Sequence, residues 1–159
     1  MPEPERSLLV HERDMTPTLQ EFHRDSIHLR VLHFEVEDDI LIRFVILVTD
    51  GEETITEFGA IQIDLGLLDT VPRCQVMEGY LPFGGILGAY DIPHESHPSA
   101  FFHVEADEFI RDAFEMQTAM TVYGRCNTIS LPTGDPLAHV VEIVPPRSSD
   151  NGGHHDRKP

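Results

Sequence analysis

Tryptophan is absent from this 159-residue chain, cysteine occurs twice and lysine once. Cysteines as far apart as Cys74 and Cys126 make neither a disulfide framework nor a zinc ribbon. The fold is therefore expected to rest on an apolar core in a reducing, cytoplasmic setting. Basic residues are scarce too: 11 lysines and arginines stand against 28 acidic side chains, a formal charge of −17. Such a surface repels polyanions, which makes nucleic acid and anionic membranes poor partners. Long apolar runs are missing, none approaching the roughly 20 residues that span a bilayer. The N-terminus, Met1-Pro-Glu-Pro-Glu-Arg6, has neither the basic nor the apolar region of a signal peptide. There is no internal repeat.

What is present fits one domain with a core of ordinary size. Residues 1–13 are charged and contain two prolines, so they read as a loosely held arm with Leu8, Leu9 and Val10 able to dock. Thr16-Pro17 reads as an N-cap and first helical position of a short helix through Phe22. Residues 26–36, 39–49, 53–64 and 117–131 read as strands, and 137–144 as another. Asp38-Asp39 and Thr49-Asp50-Gly51 separate the first three into an antiparallel meander, and Pro132–Pro136 turns the last two into a hairpin. Between them lie helix-like patches within 66–90, a Pro-rich loop over 91–99, a further strand-like stretch at 100–105 and one or two helical turns from Phe109 to Met116. The tail over 147–159 is polar and of low complexity, hence expected to be disordered. The fold class is α+β, a single antiparallel sheet with short helices.

Two of these strands carry a full charge in an apolar row. Side chains alternate along a strand, so Arg43 shares a face with Leu41, Val45 and Leu47, and Glu142 with Ala138, Val140 and Val144. An unpaired buried ion costs several kcal/mol, so each is expected to meet a partner, either the other residue or a polar ligand. An arginine so placed suits a planar carboxylate, and a desolvated glutamate keeps its proton to higher pH and can donate it. On the residues alone, a ligand site and a structural Arg–Glu pair both stay open.

Other chemistries have less behind them. His94, His97, His103 and Glu105 can be drawn as a metal site, but their spacing matches no compact zinc motif and surface histidines explain them better, so no metal is expected. His154-His155 belongs to the tail. Cys126, beside Arg125 and across the hairpin from His139, is a nucleophile only without any supporting motif, and a small buried thiol is the plainer reading. Pro82-Phe-Gly-Gly-Ile-Leu-Gly88 lacks both phosphate-loop and dinucleotide spacing, so its glycines are read as close packing.

Five segments in order resemble the chorismate pyruvate-lyase (4-hydroxybenzoate synthase) family. They are Glu12–Leu19, Leu41–Leu47, Leu81–Leu87, Val122–Cys126 and Asp135–Pro145. The resemblance implies a domain over about residues 14–146, with an antiparallel sheet and helical flaps enclosing a ligand. It implies elimination of pyruvate from chorismate to give 4-hydroxybenzoate, without metal or organic cofactor. It places the carboxylate-binding arginine on Arg43 and the acid at the leaving-group end on Glu142. Met15, Phe83, Leu87, Tyr123 and Arg125 become substrate contacts. The chain also departs from the family: arginines expected near Gly59-Ala60, at Gly85 and at Cys126 are replaced by neutral residues, and the acid after the first arginine is Phe44. Phe44, Phe58, Phe83, Met77, Met116 and Met120 are available to make the pocket more apolar.

Two functions of different class follow. One is a cofactor-independent carbon–oxygen lyase, in which Arg43 clamps the ring carboxylate and Glu142 protonates or orients the departing ether oxygen. The other keeps the fold as a cyclase or binding protein for a larger, less charged natural-product intermediate. A ligand-sensing module is a third, with no DNA-binding segment accompanying it. The expected partner is a small molecule, and the expected assembly a monomer or weak dimer.

Overall fold

In the computed structural model, residues 1–147 are described; the rest of the expected tail, with His154 and His155, lies outside the described residues. The meander forms as its breaks dictate, with β1 (Ile27–Glu37), β2 (Ile40–Thr49) and β3 (Ile55–Asp64) antiparallel in sequence. Asp38 and Asp39 both take positive φ, 47° and 65°, as a two-residue hairpin turn requires. After β3 the chain crosses one face of the sheet through a single 3-10 turn (Leu65–Leu67), α3 (Thr70–Glu78) and α4 (Phe83–Ala89). It then enters the far edge as β4 (Glu95–Glu105), turns through α5 (Glu108–Ala113), and returns inward as the hairpin β5 (Thr121–Ser130) and β6 (Pro136–Val144). The spatial order is β1-β2-β3-β6-β5-β4, which puts β3 and β6, antiparallel to each other, at the centre. The α+β class and its single six-stranded antiparallel sheet are as expected.

Two segments depart from expectation. The Pro-rich stretch is in large part strand, since β4 begins at Glu95. Pro98 is tolerated because β4 is an edge strand paired only with β5, where a missing N–H breaks no second ladder, and the register shifts there between Pro98 and Ala100. The N-terminal arm is also not loose. Residues Glu5–Leu9 form α1, and Leu8 and Leu9 are buried while Val10 remains exposed. The following helix, α2, runs Met15–His23 with Asp14 at its N-cap, two residues ahead of the expected Thr16 N-cap and Pro17 start.

The apolar side chains fall into three clusters. On the face carrying α1 to α4, one cluster gathers Leu41, Ile61, Val76, Phe83, Leu87 and Val140. A second, on the same face, gathers Leu9, Met15, Leu19, Leu29, Val45 and Leu47. The third lies on the opposite face, where α5 covers Ile46, Val48, Phe58 and Ile143. Phe44 packs with this third cluster, tilted against Phe58 and edge-to-face with Phe109, because alternation turns it away from Arg43. One close approach on the sheet has no room for a side chain: a Cβ on Gly124 would lie 2.6 Å from the Glu142 carbonyl oxygen. No helix among the described residues is long and apolar enough to cross a membrane.

Candidate functional site

Between the two apolar clusters under α2 and α4 runs a polar seam. Register explains its composition: Arg43 lies opposite Ile61 and Ile61 opposite Val140, while two residues along the same face Val45, Gly59, Glu142 and Arg125 line up across β2, β3, β6 and β5. Glu57, two residues from Gly59, and Asn127, two from Arg125, share this face. Four ionisable side chains are thus brought together on one buried surface. A cavity of about 50 Å³ opens on the seam, lined by Arg43, Glu57, Asn127 and Glu142 among Leu29, Val45, Leu47, Ile61, Ile129 and Val140.

Two helices roof it. Met15 and Thr16 of α2 and Pro82, Phe83 and Gly84 at the start of α4 complete the lining. The helices meet closely enough that a Cβ on Gly84 would lie 2.9 Å from Thr16 Oγ1. Asp14 does not cap α2 with its side chain. Its carboxylate instead accepts hydrogen bonds across the cavity mouth from His94 Nε2 at 2.6 Å and Ser96 Oγ at 2.8 Å. Burial alone would lower the His94 pKa, but its contacts to the Ile92 carbonyl and the Asp14 carboxylate outweigh this and raise it above the usual 6.5. With both ring nitrogens engaged, His94 and Asp14 latch the roof to the start of β4, and the contact favours the protonated imidazole.

The charges differ in what satisfies them. Glu142 accepts from Arg125 Nε at 2.5 Å, a buried charge-assisted pair. The same guanidinium donates to the carbonyls of Leu9, His11 and Arg13, tying the N-terminal segment to β5. Arg125 is wholly buried behind Glu142, so it holds the acid and the chain rather than lining the cavity. Arg43, 1% exposed, has no carboxylate partner among the described residues. Its Nη1 donates to the Val76 carbonyl at the C-terminal part of α3, at 3.1 Å, and its Nε has no acceptor. Burial pulls its pKa down to about 10, so it remains a cation at neutral pH. Glu57 is 4% exposed and its Oε2 has no hydrogen-bond partner. Burial, reinforced by the Glu142 carboxylate, pushes its pKa well above the usual 4.5. Burial also raises Glu142, against the pull of Arg125, so of the two acids the one without a cation keeps its proton.

Of the residues named from the sequence, Arg43, Glu142, Met15 and Phe83 line this cavity. Leu87 does not; it lies in the apolar cluster beneath α4, because it is one helical turn on from Phe83. Tyr123 packs against the Leu9 and Met15 cluster and beside His103, outside the lining. Of Phe44, Phe58, Phe83, Met77, Met116 and Met120, expected to make the pocket more apolar, Phe83 alone lines it. Phe58 belongs to the opposite face, Met116 and Met120 border a groove near α5, and Met77 is exposed. Cys126 alternates to the face opposite Arg125 and Asn127. His97 pairs with Glu95, and among the described residues no three His, Cys, Asp or Glu side chains gather as a metal site. Glu57 and Asn127 were missed, although the face-mates of Glu57 (Ile55, Gly59, Ile61 and Ile63) mark it by the same test that marked Arg43.

No protein-family model and no curated protein sequence matches the chain. Solved structures share its fold. The effector domain of PhnF from Mycobacterium smegmatis superposes with a TM-score of 0.63 at 6% identity, over 86% of this chain and 90% of that one. Gene product SA0254 from Staphylococcus aureus gives 0.60 at 10% identity over 86% and 90%. A GntR-family transcriptional regulator from Enterococcus faecalis gives 0.53 at 12% identity, over 73% of this chain and 91% of that one. At these identities the likeness is one of fold.

Proposed function

We propose that the chain is a small-molecule-binding domain whose cavity takes an organic monoanion, anchored by Arg43. The observation that carries this is a buried guanidinium without a carboxylate partner, whose Nε has no acceptor, at the edge of an apolar cavity. A cation so placed is compensated when a ligand anion forks onto it. The fold shared with a PhnF effector domain and a GntR-family regulator supports a binding role. At about 50 Å³ the cavity holds only a few water-sized groups, so any organic guest requires α2 and α4 to part, and a large polyketide-type guest requires the widest opening. The test is native mass spectrometry of the protein as isolated, beside Arg43→Met. A small acid carried by the wild type and lost from the variant is expected; the same ligand retained by both would overturn the anchoring role.

A lyase acting on chorismate is a second reading, favoured by one observation: Arg43 and Glu142 open on the same cavity, as the resemblance implies. Elimination would then need Glu142 to deliver a proton to the ether oxygen as the ring aromatises. Against it, chorismate carries two carboxylates, while Arg125 is already engaged by Glu142. Incubation with chorismate decides the matter. Formation of 4-hydroxybenzoate that Glu142→Gln abolishes is the outcome expected of a lyase, and absence of product removes this reading while leaving the binding one.

A further inference from the structure

Besides Arg43, the fold leaves Glu57 Oε2 and Asn127 Oδ1 on the seam without a partner, and of these two only Glu57 is ionisable. Glu57 projects from central strand β3 into the cavity, four residues from the position opposite Arg43, so the two mark opposite ends of the lining. Gly59, the residue between Glu57 and Ile61 on this face, leaves the carboxyl its space: a Cβ there would lie 3.3 Å from Glu57 Oε1. Glu142 and Arg125 are the charged groups facing Glu57, and they are engaged with each other. A carboxyl nine-tenths buried, with an oxygen that meets no donor or acceptor, costs stability in the empty domain. No contact seen here gives a structural return for that cost.

We propose that Glu57 is a specificity-determining residue of this cavity, donating a hydrogen bond from its carboxyl to an oxygen acceptor on the ligand while the ligand's anionic group lies on Arg43. The inference rests on the binding function proposed above and deepens it: the class of ligand is an organic acid with a carbonyl or similar acceptor remote from its carboxylate. A neighbouring acceptor-free analogue is discriminated against because it leaves the buried acid unpaired. The carboxyl is the donor because burial and the Glu142 charge both oppose its ionisation.

A matched pair of probes tests this. 4-Acetylbenzoate and 4-isopropylbenzoate have nearly the same shape, and only the first offers an acceptor para to its carboxylate. Binding at millimolar probe is followed by amide chemical-shift titration of the wild type, Glu57→Gln, Glu57→Leu and Arg43→Met. The wild type should prefer the acetyl compound about three- to tenfold, the worth of one hydrogen bond. Glu57→Gln, which still has a donor, should keep the preference, and Glu57→Leu should lose or reverse it. Equal binding of both probes by the wild type, with Arg43→Met abolishing both, overturns the role of Glu57 and leaves the anchoring by Arg43 standing. Binding of neither probe, or binding indifferent to Arg43→Met, overturns the anchoring and this inference with it. Folding of each variant is read from the dispersion of the same spectra, and Glu57→Met, which likewise lacks a donor and should lose the preference, carries the test should Glu57→Leu fail to fold; a preference kept by the donor-free variant overturns the role of Glu57.

Discussion

Replacing Glu57 by leucine should make the ligand-free domain more stable. The carboxyl is buried on β3 with an unpartnered Oε2, and a polar group so placed costs about 1–3 kcal/mol in lost hydration. Leucine removes that cost and places a branched alkyl group beside Val45 and Leu47, which already line the cavity. For a domain of this length each kcal/mol corresponds to roughly 2–4 °C in melting temperature, so a rise of roughly 2–12 °C is expected. The gain also depends on pH. Below the ordinary glutamate value of 4.5 Glu57 is protonated in both folded and unfolded chains and contributes nothing. Above it the unfolded chain releases the proton while the folded chain holds it, so the wild type loses stability as pH rises toward the raised folded value. The leucine variant lacks this loss, so the difference between the two should widen upward from pH 4.5 and then level off. Thermal and urea denaturation between pH 4 and 8 measure both effects. A Glu57→Leu protein that melts below the wild type at every pH would refute the reasoning, because Glu57 would then be satisfied by the fold itself.

Other perturbations separate structural charge from ligand-directed charge. Arg125→Met should cost about 3–5 kcal/mol in urea denaturation, since it strands Glu142 buried and releases three carbonyls of the N-terminal segment. Hydrogen exchange should then rise first over residues 5–13, and the double variant with Glu142→Leu should recover much of the loss. The Asp14–His94 latch should weaken with alkalinity: its His94 value is raised, so the stabilisation is complete below pH 6.5 and fades as pH climbs through the folded value. Protection factors over residues 14–16, taken relative to the base-catalysed intrinsic exchange at each pH, should fall between pH 6 and pH 8.5, and His94→Gln should flatten that dependence.

Much of this was legible in the chain, for reasons that can be located. Arg43 and Glu142 announce themselves because a strand face is sampled every second residue, and a charge among Leu, Val and Ile at that spacing has one interpretation, burial with a partner. The identity of the partner was less visible. Glu142 takes Arg125 rather than Arg43 because the hairpin register sets residues 125 and 142 directly opposite, whereas Arg43 lies two strands away from β6. Phe44 and Phe58 were placed in the pocket by residue type, and alternation turned them to the other face. The docking of Leu8 and Leu9 was foreseen, but the tether that holds their segment was hidden for a different reason: Arg125 grips carbonyls more than 110 positions earlier, and a backbone acceptor has no signature in sequence.

The four charged groups of the seam sort themselves by partner, and that sorting bounds the ligand. Arg125 and Glu142 neutralise each other and join β5, β6 and the N-terminal segment, so they add no net charge to the cavity. Arg43 remains a cation at its pKa of about 10, and Glu57 is held neutral by burial and by Glu142. The lining they leave is therefore one negative charge short of balance, with a hydrogen-bond donor at the far end. An uncharged guest would leave Arg43 uncompensated in an apolar surround, and a dianion would bring a second charge with no cation to receive it. Only a monoanion closes the balance. Removing Arg43 and removing Glu57 should thus act on different properties: the first on whether any acid enters, the second on which acid is preferred.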